Sequence, residues 1–317
     1  MVSSTFTGLG ESHAAQLWGY EPVCVRHRLH ESPLFSHGAL AALIETYPRE
    51  HYGIIHMGPT RSDRRYWREG DLNGLSGKEV LEAISRGRFW LNLRNTSEVD
   101  QQYKALLEIV FEELRDHIPG FSTFGRKCGI LISSPNAQVY YHSDIPGQML
   151  FQISGRKRVY VYPANEPFIT PEDLQRTAIS GLEVDIPYAD WYDDYARVFE
   201  FEPGQMLHWP HYAPHRIENE DQLNVSMTVE FLTGPIRRRQ IDNLANGVLR
   251  YRLGLRPQKT STNGPVFWSK AALWLAWRKT PWIAKQRAVH RQVDFVLDTT
   301  VPEGMRDLRP AASHNTA

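Results

Sequence analysis

His142-Ser143-Asp144, followed 71 residues later by His215, is the part of this 317-residue sequence whose residue types and spacing point to chemistry. Two imidazoles and a carboxylate on one side of a metal leave three coordination positions open, the ligand set of non-haem Fe(II) centres. In an extended strand, residues i and i+2 point the same way, so His142 and Asp144 reach one ion while Ser143 faces away. The third ligand has to come from a distant strand brought alongside. A lone His-x-Asp pair is common in surface turns and hydrogen-bonded pairs, so its setting decides its meaning.

That setting is a series of strands. Gln138–His142 is strand-like, and Met149–Ile153 is a second strand closed by the turn Ser154-Gly155-Arg156. Lys157–Tyr162 alternates up to Pro163. Val198–Phe201 runs into the turn signal Glu202-Pro203-Gly204 and then Met206–Pro210. From Asn224 to Phe231, the polar residues Asn224, Ser226, Thr228 and Glu230 alternate with Val225, Met227, Val229 and Phe231, the period of a half-buried strand.

With these motifs in order, the stretch 120–235 resembles the JmjC/cupin-like Fe(II)- and 2-oxoglutarate-dependent oxygenases. It is especially similar to the asparaginyl hydroxylase branch represented by factor-inhibiting HIF. The likeness rests on His142-Ser-Asp144, on Gln152-Ile-Ser-Gly-Arg-Lys-Arg158 and on the segment from Gly204 to Glu218. Lys157 lies 13 residues after Asp144, and His215 five after Pro210. Both spacings match that branch.

The resemblance implies Fe(II) held by His142, Asp144 and His215, with 2-oxoglutarate as a bidentate ligand, O2 as co-reactant and hydroxylation of a substrate C–H bond. Lys157 is then the cation for the far carboxylate of 2-oxoglutarate. Tyr140, on the same strand as His142, and Ser226 and Thr228, on the polar face of the last strand, are candidates to hydrogen-bond the cosubstrate. His208 and His211 compete with His215 for the third ligand position. Local spacing does not choose among them, and the family pattern favours His215. Two residues depart from that pattern. Gln205 replaces an aspartate, with an expected effect on turn hydrogen bonding alone. Glu230 replaces an asparagine near the metal, so substrate handling is expected to differ.

The elements around the motifs are those of an ordinary globular chain, 41% hydrophobic and 23% charged, large enough for one sizeable core. No apolar run follows a basic start, so no secretory signal is expected. The two cysteines, Cys24 and Cys128, suit a reducing, cytoplasmic setting. Residues 1–119 form helical and strand additions, with a helix over about Glu98–His117 capped by Ser97 and stopped at Pro119-Gly120. Residues 61–70, with four arginines and Trp67, read as a solvated surface loop, with a flexible loop near the site mouth as the alternative.

The zero net charge hides an asymmetry. Between Ile236 and Gln292 there are 13 Lys or Arg and one acidic residue, Asp242; Pro163–Glu202 holds ten acidic residues against Arg176 and Arg197. Pairing of the two segments, within a chain or across a dimer, is the plainer expectation; a cationic substrate is the other. The basic stretch 236–317 carries Trp268, Trp274, Trp277 and Trp282 among its cations. Its longest uncharged run in this region is far too short for a bilayer span. Homodimerisation through C-terminal helices, or packing of those helices on the chain itself, is the expected role, with support of a substrate loop and membrane or nucleic-acid contact as alternatives. A disordered tail from about Asp307 is expected.

These readings converge on a mainly β chain: a double-stranded β-helix, the cupin-type jelly roll, with eight short strands in two sheets over 120–235. The activity implied is that of a 2-oxoglutarate-dependent dioxygenase acting on a protein side chain or a small molecule. A metal-dependent cupin that needs no 2-oxoglutarate, in which Lys157 is dispensable, and a non-catalytic sensor of the same fold are the alternatives.

Overall fold

A computed structural model describes residues 4–10, 13–57, 68–181, 186–256, 260–280 and 293–308. The strands are β1 (Phe6–Thr7), β2 (Val23–His27), β3 (Tyr52–His56), β4 (Arg68–Asp71), β5 (Phe89–Leu93), β6 (Phe124–Ser133), β7 (Gln138–His142), β8 (Gly147–Ser154), β9 (Lys157–Val161), β10 (Arg197–Phe201), β11 (Gln205–His208), β12 (His215–Asn219), β13 (Asn224–Leu232), β14 (Phe295–Leu297) and β15 (Met305–Asp307). The helices are α1 (Ala14–Leu17), α2 (His37–Glu45), α3 (Gly77–Arg86), α4 (Thr96–Val99), α5 (Gln101–His117), α6 (Pro171–Ser180), α7 (Gly234–Leu253) and α8 (Gly264–Arg278).

Strands β6 to β13 make the expected jelly roll. Four of them, in the order β11-β8-β13-β6, form the centre of a large sheet, and β10-β9-β12-β7 form the facing small sheet. The large sheet grows at one edge by β2 and β1 and at the other by β5, β3, β4, β14 and β15. Strands from all three stretches of the chain therefore hydrogen-bond into one sheet.

Alternation sorts the side chains onto two faces. Leu150 of β8, Val159 and Val161 of β9, Leu207 of β11 and Ile217 of β12 pack inside the barrel. On the other face of the large sheet, Met149, Phe151, Met206, Met227 and Val229 join Leu107, Val110, Phe111 and Leu114 of α5 in the main core. That burial, more than helix propensity, holds α5 in place. Its start differs from the expectation: α4 ends at Val99, and Asp100 caps α5 by accepting from the Gln102 and Tyr103 N–H groups. Ser97 instead accepts from Cys128 N at 3.4 Å.

The turns follow from the sequence. Gly155 adopts φ +74°, and a Cβ there would meet Leu223 O at 2.5 Å, so the β8–β9 turn requires glycine. Gln205 acts as expected within its turn, its Oε1 accepting from Glu202 N at 2.9 Å. Of the arginine-rich loop, residues 61–67 lie outside the described residues, and Arg68–Asp71 is a strand. Trp282 and the chain beyond 308 also lie outside them.

Candidate metal centre

His142 ends β7, Asp144 follows two residues on, and His215 opens β12 directly opposite His142 in the antiparallel ladder. The register of two non-consecutive strands thus brings together residues far apart in sequence. Asp144 Oδ1 lies 3.7 Å from His142 Nε2, and its Oδ2 lies 3.3 Å from His215 Nε2. One ligand atom from each of the three residues falls within 4.8 Å of the others.

The donor set fits a divalent metal. His142 Nδ1 bonds Tyr140 O at 2.7 Å, and His215 Nδ1 bonds Ala213 O at 3.2 Å. A carbonyl only accepts, so both Nδ1 atoms carry the proton and both Nε2 lone pairs face the aspartate. This is the backbone support that orients metal-bound histidines. Burial pushes the Asp144 carboxyl above its ordinary pKa, with His142 opposing, and pushes His215 well below its own, helped by His142. A cation between the three reverses the penalty on the carboxylate and uses the bare nitrogens.

Neighbouring contacts fix the ligands. Ser143 turns away from the triad, as expected, and its hydroxyl donates to Tyr212 O at 3.1 Å. Tyr212 holds a left-handed φ of +71°, uncommon for a tyrosine, in the turn that leads to His215. Trp209 lies with its ring 4.4 Å from the His215 ring. On the outer face, Arg216 ties β12 to the acidic segment through Asp193 and pairs with Glu218 of its own strand, each at 2.5 Å, and stacks 3.5 Å from the Tyr160 ring.

The triad opens into a cavity of about 160 Å3, also lined by Trp90, Asn92, Gln148, Leu150, Thr228 and Glu230. The polar face of β13 descends into the barrel. Glu230 pairs with Gln148, Thr228 with Leu150 and Ser226 with Gln152. Thr228 Oγ1 donates to Gln148 Oε1 at 3.0 Å. Farther along β13 and outside the cavity's lining, Lys157, on the inner face of β9 with Val159 and Val161, donates to Ser226 Oγ at 2.8 Å, and Ser226 donates on to Gln152 Oε1 at 2.7 Å. No carboxylate of the described residues pairs with Lys157, and burial pushes its pKa down to about 7. Burial also raises the Glu230 carboxyl, with Asp144 adding to the effect.

Of the residues expected to hold the cosubstrate, Thr228 lines this cavity, and Lys157, Ser226 and Tyr140 do not. The β7–β12 register shifts between His215 and Ile217, pairing Ile217 with Val139 and His215 with His142. This bulge puts two residues of β7 opposite Arg216 and breaks the alternation. Val139 lines the cavity with His142, and Tyr140 does not. His208 is excluded as a metal ligand by the same logic: its neighbours Leu207 and Trp209 point into the barrel, so it points out. Sequence reasoning passed over Asn92 and Gln148. The alternation of Trp90 and Asn92 with Phe89, Leu91 and Leu93 was the available signal for the first.

The family model for the cupin-like domain matches residues 72–232, 161 of the 317. The chain belongs to the cupin-like domain family. The chain is similar to tRNA wybutosine-synthesizing protein 5 of Danio rerio, 31% identical over 131 residues, 37% of this chain and 38% of that protein. The alignment thus spans well under half the length of that curated relative. Among solved structures, the chain is similar to ycfD of E. coli, with 17% identity over 89% of this chain and 72% of that one and a TM-score of 0.49. A second structure, of YcfD, a ribosomal oxygenase from Escherichia coli, in complex with cobalt and 2-oxoglutarate, aligns at 19% identity over 91% and 72%, with a TM-score of 0.46.

Proposed function

We propose that this cupin-like protein is an Fe(II)- and 2-oxoglutarate-dependent oxygenase that hydroxylates a C–H bond of a protein side chain or small molecule. The observation that carries the reading is Lys157: a buried lysine without a counter-ion among the described residues, on the inner face of the barrel that also presents the His142/Asp144/His215 triad. Burying an unpaired cation is costly, and a dicarboxylate reaching from the metal to Lys157 supplies the missing charge.

Each residue then has a task. His142 and His215 give Nε2 lone pairs and Asp144 a carboxylate oxygen to Fe(II), leaving open positions for a bidentate ligand and O2. When bound, iron, O2 and 2-oxoglutarate supply the oxidation that turns C–H into C–OH while releasing succinate and CO2. Lys157 anchors the far carboxylate, and Ser226 holds the ammonium in place. Thr228 and Gln148 line the path between Lys157 and the mouth. Trp209 packs against His215 and keeps water from that side. Substrate enters from a wider groove of about 870 Å3 that shares Trp90, Asn92, Thr228 and Glu230 with the inner cavity.

The test is anaerobic addition of Fe(II) and 2-oxoglutarate, followed by the visible metal-to-cosubstrate charge-transfer band and by succinate release once O2 is admitted. The expected result is a band that Lys157→Ala abolishes while metal binding persists. Tight metal binding without a band supports a cupin that needs no 2-oxoglutarate. Absence of metal binding supports a non-catalytic role.

The same reading includes a reducing compartment, which suits ferrous iron and the two free thiols, Cys24 and Cys128. It also includes a homodimer through the C-terminal helices, where Val266, Trp268 and Leu275 of α8 remain exposed. No helix among the described residues is long and apolar enough to cross a membrane. Light scattering on the purified chain reads the dimer directly; a monomer at all concentrations removes that part.

A further inference from the structure

His208 and His211 line a second cavity, of about 830 Å3, on the face of the large sheet away from the metal centre. It lies between Trp18 and Tyr20 near the N-terminus, Phe121 after α5, Phe231 of β13 and the first turn of α7. Trp18 stacks flat on the His208 ring, centroids 4.1 Å apart and planes 12° apart. His211 stacks on Tyr212, with ring centroids 3.6 Å apart.

Each histidine commits one nitrogen to the backbone. His208 Nδ1 bonds Gln148 O at 2.7 Å and His211 Nε2 bonds Ile145 O at 3.0 Å. Those nitrogens carry the protons, because carbonyls only accept, so His208 Nε2 and His211 Nδ1 are bare acceptors. Both are buried, and neither has a hydrogen-bond partner among the described residues. Burial keeps both rings neutral, pushing each pKa down to about 4. Unpartnered buried polar atoms are rare in folded proteins and call for an explanation. Among the described residues Arg239 is the one charged residue in the wall, and it forms no ion pair with them; its guanidinium lies 5.2 Å from the Tyr212 ring.

We propose that this cavity is a second binding site, for a planar aromatic anion that donates a ring N–H or O–H to the bare Nε2 of His208 and sets its acidic group against Arg239. The aromatic walls favour a flat ligand, the bare acceptor requires a donor, and a wall whose described residues include one arginine and no carboxylate selects negative charge. A metal is not the fit, since no third ligand joins His208 and His211 among the described residues.

Indole-3-acetate and 4-hydroxyphenylacetate are suitable probes, titrated calorimetrically into the full chain. The expected result is a Kd below about 1 mM for at least one of them, unchanged by EDTA. The derivative that has lost the N–H or O–H, and the one whose acid is an amide, each bind about tenfold more weakly, a difference of about 1.4 kcal/mol. Arg239→Gln weakens the acid by a similar factor and leaves the amide unaffected. His208→Phe makes the parent acid and its N- or O-methyl derivative bind alike. If His208→Phe does not fold, Arg239→Gln with the ligand series still decides. No binding by either acid, equal affinity across the series, indifference to Arg239→Gln, or binding lost with EDTA overturns the proposal.

Discussion

A single buried lysine gives the proposed activity a pH signature. Burial pushes the Lys157 pKa down to about 7, whereas a bound carboxylate favours the ammonium form. Above about pH 7 the free protein must take up a proton at Lys157 when 2-oxoglutarate binds, so affinity falls as pH rises, by up to about tenfold per unit. Below about pH 7 the lysine is already charged, and this contribution is flat. Calorimetry in buffers of different ionisation heats is expected to find proton uptake near pH 8 and almost none near pH 6. Affinity without pH dependence across that range rules out Lys157 as the anchor. The sequence pointed to His142 and Asp144 through local period-2 spacing, whereas His215 and Lys157 came only with the family resemblance. It misplaced Tyr140 because the bulge is set by the partner strand β12, which no local pattern in β7 records.

The helices after the barrel show how an element changes the meaning of its residues. The basic, tryptophan-rich stretch looked like a surface for a partner, yet α8 turns Lys270 inward against α7. There Lys270 Nζ lies 2.5 Å from Asp242 Oδ1, and Asp242 is fully buried. The one acidic residue of the segment is therefore the counter-ion of one of its 13 cations. Arg237 and Arg278 both lie over the Trp274 ring, at 4.5 and 4.7 Å. The acidic segment also pairs with α7, through Arg250 and Glu172 at 2.7 Å. The charge asymmetry and the pairing it favours were legible in the sequence, and the particular partners were not, because they depend on how α7 meets α8 and α6. Lys270→Ala leaves the Asp242 carboxylate buried and unpaired, an expected loss of about 3–5 kcal/mol. Lys279→Ala, at an exposed position of the same segment, is expected to stay within about 0.5 kcal/mol. Urea unfolding of the two variants compares them, and equal midpoints mean that the pair does not hold α8 in place.

At the scale of the whole molecule, the large sheet carries a set of buried neutral histidines that couples stability to pH. His27, His208 and His211 each have a pKa pushed down to about 4 by burial, with His30 adding to the effect on His27. His27 is fully bonded while neutral: its Nδ1 accepts from Leu29 N at 3.0 Å, and its Nε2 bonds Gln205 O at 3.1 Å. In the unfolded chain all three titrate near 6.5. Between about pH 6.5 and 4 the unfolded state therefore binds more protons than the folded one, and stability falls as the solution is acidified. Each ring contributes a slope of up to about 1.4 kcal/mol per pH unit, so three give about 4. Asp144 and Glu230 work the other way, since their raised pKa values make the folded state take protons first on acidification. A bound metal removes the Asp144 part by holding the carboxylate ionised, so the metal-loaded protein is expected to lose stability more steeply than the metal-free one. Urea unfolding free energies at about pH 7 and about pH 5, with and without metal, measure both slopes. A stability that is level over that range in the loaded protein shows that the three imidazoles are not buried neutral, and it removes the acceptor on which the second cavity depends.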